Sequence, residues 1–204
     1  MKIHLRDLNE ALVTAWGVWI SDNPVKFGFT TMDGAVGDPA DAGAMGIVSP
    51  ANSFGFMDGG IDLAYARRWP GLESAVRDHI KRYCRFGEIL VGQALGIPIP
   101  GCTAGNSKPG LLIVAPTMRV PMRIADPADV YLATRAAVRC AHDHDLESLA
   151  MPGMGTGCGA IPPELAANAM MRGIRDAITA PELFPPEPKS MGEASRMHWE
   201  FQRR

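Results

Sequence analysis

Two glycine-bearing loops hold the residues of this 204-residue chain whose types and spacing suit chemistry. The first, SPANSFGFMDGGID, runs from Ser49 to Asp62 between an apolar stretch and a helix-like one. Gly59 and Gly60 let backbone N–H groups approach an oxygen-rich ligand closely. Asp62, in the first turn of the following helix, is placed by the helix dipole to stay ionised. Asn52 both donates and accepts hydrogen bonds, which suits a ribose diol. A plain strand-to-helix turn with Asp62 as its capping residue accounts for the same pattern. The second loop, PGMGTGCGAIPPE, spans Pro152 to Glu164. Its Gly153, Gly155, Thr156, Gly157 and Gly159 are small enough to line an anion cradle with amides, and the dipole of the next helix adds to it. This reads as a phosphate site, against the blander alternative of a glycine-rich turn with structural duty only.

Other chemistries fit less well. Gly155, Gly157 and Ala160 match G-x-G-x-x-A, but a dinucleotide fingerprint opens the first strand-helix unit, whereas here the helix runs into a Pro-rich tail. A G-x-x-x-x-G-K-[ST] motif is missing, which disfavours a nucleoside triphosphatase. Cys84, Cys102, Cys140 and Cys158 contain no C-x-x-C pair, so they read as reduced, mostly buried thiols rather than a zinc site or a disulfide framework. His142 and His144 stand two apart and share no helix face. Neither a metal nor a cofactor is expected.

The elements that must position these loops follow from periodicity. Lys2 to Leu8 has the alternation of a half-buried strand, and Asn9 caps a helix whose Leu12, Val13, Trp16, Trp19 and Ile20 share one face. Val25, Phe27 and Phe29 alternate as a short strand, and residues 31 to 43 are loop-like, rich in Gly, Asp and Ala. Met45 to Ser49 is a buried strand. A short helix follows the first loop, then Pro70 and Gly71, then a helix from Leu72 to Cys84. Strands are expected near Ile89 to Leu95 and Leu111 to Pro116, joined by a Pro/Gly-rich excursion from Gly96 to Gly110. Asp126 and Pro127 start a helix through Asp143, Leu146 to Met151 is a strand, and a helix runs from Pro163 to about Ala180.

Alternating strands and helices imply an α/β protein with a largely parallel sheet covered on both faces. At 47% hydrophobic and 21% charged residues the chain folds as an ordinary globular protein. Its net charge of −2 gives no field for bulk nucleic-acid binding. No apolar run approaches a membrane span and the N-terminus has no signal-peptide core, so a cytoplasmic protein is expected. The expected organisation is one domain over 1–180 and a Pro-rich tail over 181–204, whose Trp199 and Phe201 could anchor it to the domain or to a partner.

The two loops resemble those of the macro domain, the family of modules that binds ADP-ribose. Its hydrolase branch writes the first loop N-x-x-x-x-x-x-G-G-V-D, and Asn52, Gly59, Gly60, Ile61 and Asp62 fall at that spacing. Its diphosphate loop, G-[ST]-G-x-x-G-like and followed by proline, is matched by Gly155, Thr156, Gly157 and Pro162. GIVSPAN, which carries Ala51 into the ligand-binding set, looks like the family's strand ending in N-A-A-N. The resemblance covers roughly residues 45 to 180 and implies a three-layer α/β/α sandwich with a central mixed, largely parallel sheet.

By that resemblance Asn52 holds the distal ribose, Gly59 to Ile61 take the phosphates and distal ribose, and Asp62 orients a water. Gly155 to Cys158, with Gly159 beside them, wrap the diphosphate, and Asp7 is the best candidate for contact with the adenine amino group. The chain departs from the family pattern in three ways. Asp58 replaces a glycine, and Cys158, Gly159 and Ala160 replace an aromatic or bulky cover for the distal ribose. Phe54 and Phe56 either substitute for that cover or pack the loop against the core. The implied function is binding of ADP-ribose, or of an ADP-ribosylated macromolecule, and hydrolysis of an ADP-ribosyl bond by water attack at the distal ribose. The alternatives are a non-catalytic reader of ADP-ribose and a structural or assembly protein that keeps the fold.

Overall fold

A computed structural model of the chain describes residues 1–22, 30–102, 109–178, 190–193 and 195. Its centre is a six-stranded sheet in the spatial order β2-β1-β6-β3-β5-β4. The strands are β1 (Lys2–Asp7), β2 (Thr31–Val36), β3 (Gly46–Ser49), β4 (Leu95–Pro98), β5 (Leu111–Val114) and β6 (Ser148–Met151). All pairings are parallel except that of β4 with β5.

Short apolar runs such as LLIV suit strands buried on both faces, because alternate side chains feed opposite layers. Val48, Ile113, Leu149 and Met151 enter one core with helices α1 (Glu10–Asp22), α4 (Ala128–Asp143) and α5 (Pro163–Ile178). Ile47, Leu112, Val114 and Ala150 enter the other with α2 (Gly60–Arg68) and α3 (Leu72–Tyr83). The result is the expected three-layer sandwich around a mixed, largely parallel sheet. The helix starts are also as expected: the Asn9 side-chain Oδ1 accepts the N–H groups of Ala11 and Leu12, and the Asp126 carboxylate accepts the N–H of Ala128.

Two expectations are corrected. Residues 31 to 43 are not simply a loop: Thr31–Val36 forms β2, and Pro39–Asp41 a single 3-10 turn capped by Asp38. β2 has no apolar alternation because it is an exposed edge strand, held by its ladder to β1 and by the ion pair of Asp33 with Arg6. Ile89 to Leu95 is not a strand as a whole; pairing begins only at its last residue, Leu95, and β4 continues to Pro98, into the stretch read as an excursion. Gly92, at φ 90°, turns the chain there, and the Gln93 side chain accepts the Leu90 N–H. The alternation at Val25, Phe27 and Phe29, the 1–180/181–204 boundary, and Trp199 and Phe201 lie outside the described residues. Among the described residues no helix is long and apolar enough to cross a membrane.

Because β1, β3, β5, β6 and the added β2 run parallel, their C-terminal ends lie along one edge of the sheet. The loops that follow them meet there, which is where open α/β sheets bind ligands.

Candidate ligand-binding site

A cleft of about 460 Å³ runs along that edge. It brings together nearly all residues singled out in the sequence: Asp7, Ala51, Asn52, the run from Asp58 to Asp62 and the run from Gly155 to Gly159. Phe54 is not in its lining; the Arg119 guanidinium lies 5.0 Å from its ring centre. Phe56 does line the cleft, with Arg77 4.5 Å from its ring centre.

The glycines divide by what a side chain would meet. At Gly155, with φ 75°, a Cβ would stand 2.6 Å from Val130 Cγ2, and at Gly159 it would stand 2.5 Å from the Gly155 carbonyl oxygen. Those two glycines are demanded by packing. At Gly59, Gly60 and Gly157 a Cβ would meet no atom within 4 Å, so their missing side chains leave space in the cleft itself. Gly60, with φ 55°, needs glycine for its backbone as well, whereas Gly157 has no positive φ.

Asn52 is engaged by its own loop. Its Oδ1 accepts the N–H groups of Phe54 and Phe56, and its Nδ2 donates to the Phe56 carbonyl at 2.7 Å. One of the two amide hydrogens remains for a ligand. The loop is thus set by the same side chain that the resemblance assigns to the ribose.

Asp62 is 9% exposed, and its Oδ1 accepts the hydroxyl of Ser49, the last residue of β3, at 2.6 Å. Its pKa is pushed up to about 6: burial raises it, the Ser49 hydrogen bond opposes this, and the Asp58 charge adds to it. Desolvation therefore outweighs the helix dipole that was expected to keep this carboxylate ionised. The folded pKa stands above the ordinary value of 3.8, so between about pH 4 and 6 the folded state keeps a proton that the unfolded state has lost. Stability contributed by the protonated form is lost as the pH rises through that window. By pH 8 the ionised carboxylate costs roughly 3 kcal/mol, from about 1.4 kcal/mol per pKa unit. Asp62→Asn, which keeps an acceptor for Ser49, should stabilise the protein against urea by roughly 2 kcal/mol more at pH 8 than at pH 4.5. Equal effects at the two pH values would contradict the raised pKa.

Several cleft residues went unread in the sequence. Gly37 and Asp38, between β2 and the 3-10 turn, and Pro39, the first residue of that turn, line the cleft along with Arg6, Asp7 and Leu8, as do Thr117 and Met118 beyond β5. The Gly-Asp-Pro order is a turn signal, and Asp38 caps the turn by accepting the Ala40 N–H at 2.8 Å. Its proximity to the cleft depends on β2 pairing with β1, which periodicity alone does not reveal. Cys158, expected to be one of mostly buried thiols, is exposed in the cleft's second loop.

The macro domain family profile matches residues 48–170. The chain belongs to the macro domain family. Macro domain membership thus rests on the segment that carries both loops. Uncharacterised relatives occur in Aquifex aeolicus, 40% identical over 63% of this chain and 72% of the relative, and in Aeropyrum pernix, 33% identical over 67% of each. Among solved structures, the macrodomain of Mycobacterium tuberculosis DarG is 22% identical with a TM-score of 0.58, covering 70% of this chain and 88% of that one. The Oceanobacillus iheyensis macrodomain with ADP has 19% identity and a TM-score of 0.58, covering 70% and 74%. Thermosipho africanus DarTG in complex with ADP-ribose has 18% identity and a TM-score of 0.56, covering 68% of this chain and 37% of that one. At these identities the structural likeness concerns the fold of the macro domain.

Proposed function

We propose that this macro domain binds ADP-ribose and hydrolyses an ADP-ribosyl bond. The observation that carries the reading is the buried Asp62 carboxylate, with its pKa near 6, in a cleft lined by two glycine loops. The solved relatives with ADP and with ADP-ribose support the choice of ligand.

The cleft holds Asp7, Asp38, Asp58 and Asp62 against one arginine, Arg6, so side-chain charge does not attract a diphosphate. Backbone amides do: those from Gly59 to Ile61 at the start of α2 and those from Gly155 to Cys158 take the phosphate oxygens, aided by the α2 dipole. The remaining Asn52 amide hydrogen meets a hydroxyl of the distal ribose. A water between Asp62 and the anomeric carbon then attacks. A new C–O bond forms as the bond to the leaving group breaks, the leaving atom takes the electron pair and a proton from solvent, and Asp62 takes the water's proton. A base with a pKa near the working pH is well matched to that transfer. Positioning and electrostatics supply the rest.

The test is release of free ADP-ribose from protein esterified at acidic side chains, from the 1″-phosphate and from nucleic-acid adducts. Turnover of at least one, above the uncatalysed rate, is expected. Tight ADP-ribose binding with no turnover of any of them would leave a reader rather than an enzyme.

A further inference from the structure

Ser49 closes β3, a strand otherwise made of glycine and apolar residues, and is 1% exposed. A hydroxyl buried at such a place costs stability unless it is hydrogen-bonded. Its direction is fixed by its neighbours. The Ser49 carbonyl accepts the Ala115 N–H at 3.0 Å at the end of the ladder to β5, and Pro50 keeps the residue before it extended. Ser49 stands two residues from Ile47, which enters the core with α2 and α3, so its side chain points to that same layer. There it meets the first turn of α2, where its Oγ donates to Asp62 Oδ1 at 2.6 Å.

The two oxygens of Asp62 thereby have different surroundings. Oδ1 is taken, while Oδ2 accepts no hydrogen bond among the described residues. Their fully buried unpaired polar atoms are Trp16 Nε1, Ser53 Oγ, Thr134 Oγ1 and Arg135 Nε; Oδ2 is not one of them, so it opens on the cleft that Asp62 lines. Ser49 itself is not in that lining and reaches a bound ligand only through Asp62. The other groups around Asp62 are acidic or engaged elsewhere. Asp58, in the first loop, adds repulsion. Tyr65, one turn further along α2, gives its hydroxyl to the Val48 carbonyl at 3.4 Å, and Arg68 pairs with Asp41 at 2.7 Å. Arg6 is bonded to Asp33 and the Leu5 carbonyl, Asp38 caps the 3-10 turn, and Asp7 accepts the N–H groups of Asn9 and Gly153.

We infer that Ser49 is a positioning residue: from the end of β3, behind the cleft, its hydroxyl fixes the Asp62 carboxylate so that Oδ2 alone faces the water to be deprotonated. The inference rests on the hydrolase reading. A carboxylate held at one oxygen loses its freedom to turn the other away from the water, which is what a near-attack geometry requires. The same bond favours the ionised form, the form that acts as base, and so opposes the burial that holds Asp62 protonated up to about pH 6.

The experiment records kcat/KM against pH for wild type, Ser49→Ala and Ser49→Thr on an ADP-ribosylated substrate, with ADP-ribose titrations and thermal melts beside it. In Ser49→Ala the rise of kcat/KM should move to higher pH by about one pH unit or more, the scale of one hydrogen bond to a charged group. Its plateau should fall by roughly tenfold or more, with ADP-ribose affinity kept, because the lost hydroxyl never touches the ligand. Ser49→Thr retains a hydroxyl on a residue suited to a strand and should restore both the midpoint and the plateau. A carboxylate titration of Asp62 by carbon NMR, in wild type and Ser49→Ala, follows the same shift without substrate and decides the matter if the threonine variant does not fold. A hydroxyl with structural duty only would lower the melting temperature and leave the midpoint where it is. An unmoved midpoint or an undiminished plateau in folded Ser49→Ala would overturn the inference while leaving the hydrolase reading intact. So would a folded Ser49→Thr that behaves as Ser49→Ala does. Absence of turnover by wild type is a separate result, which would overturn the hydrolase reading and the inference with it.

Discussion

Gly157→Val should abolish ADP-ribose binding, by a hundredfold or more on the scale set by filling a site with branched side-chain atoms, yet leave the melting temperature within about 2 °C of wild type. A Cβ there meets no protein atom within 4 Å and the backbone has no positive φ, so the fold has no objection to a side chain. The space that valine would fill belongs to the cleft. Gly155→Val is the contrast. Its Cβ would stand 2.6 Å from Val130 Cγ2 at φ 75°, so it should lose several kcal/mol of stability through overpacking and strain. Wild-type affinity in a folded Gly157→Val protein would make the second loop a structural turn.

Asp62→Ala should lower turnover of an ADP-ribosylated substrate by roughly 10² or more, a common scale for a positioned acid-base group, with ADP-ribose affinity nearly kept. In wild type, kcat/KM should rise with pH through about 6 and level off above it, because the base acts only when ionised. Asp58 contributes to that position, since its charge raises the Asp62 pKa. Asp58→Gly should therefore move the rise to lower pH. A flat profile, or full activity in Asp62→Ala, would remove Asp62 from the chemistry.

The chain shows its two loops because their chemistry is local. Glycine spacing, an asparagine and an aspartate at a helix start can all be read without knowing what packs against them. The strands of the sheet's centre are as legible, since LLIV and GIVS are continuous apolar runs bounded by turn residues. What stayed hidden depends on contacts distant in sequence. β2 carries exposed, unpatterned residues and exists through its pairing with β1, 29 positions away at Lys2 and Thr31. Asp38 and Pro39 reach the cleft only because of that pairing. The raised pKa of Asp62 is hidden for a related reason: the helix dipole is visible in the sequence, but the burial that outweighs it is a property of the assembled layers. Asn52 falls between these cases. Its position in the cleft follows from the motif, while its three hydrogen bonds to Phe54 and Phe56 follow from the loop's path.

Calorimetric titration of the wild-type protein with ADP-ribose, beside AMP under the same conditions, tests the central claim most directly. A ligand whose diphosphate spans both amide-lined loops and whose second ribose reaches Asn52 should bind with micromolar or better affinity, about −8 kcal/mol, and more tightly than AMP. AMP binding as tightly as ADP-ribose, or no heat from ADP-ribose at millimolar concentration, would contradict it.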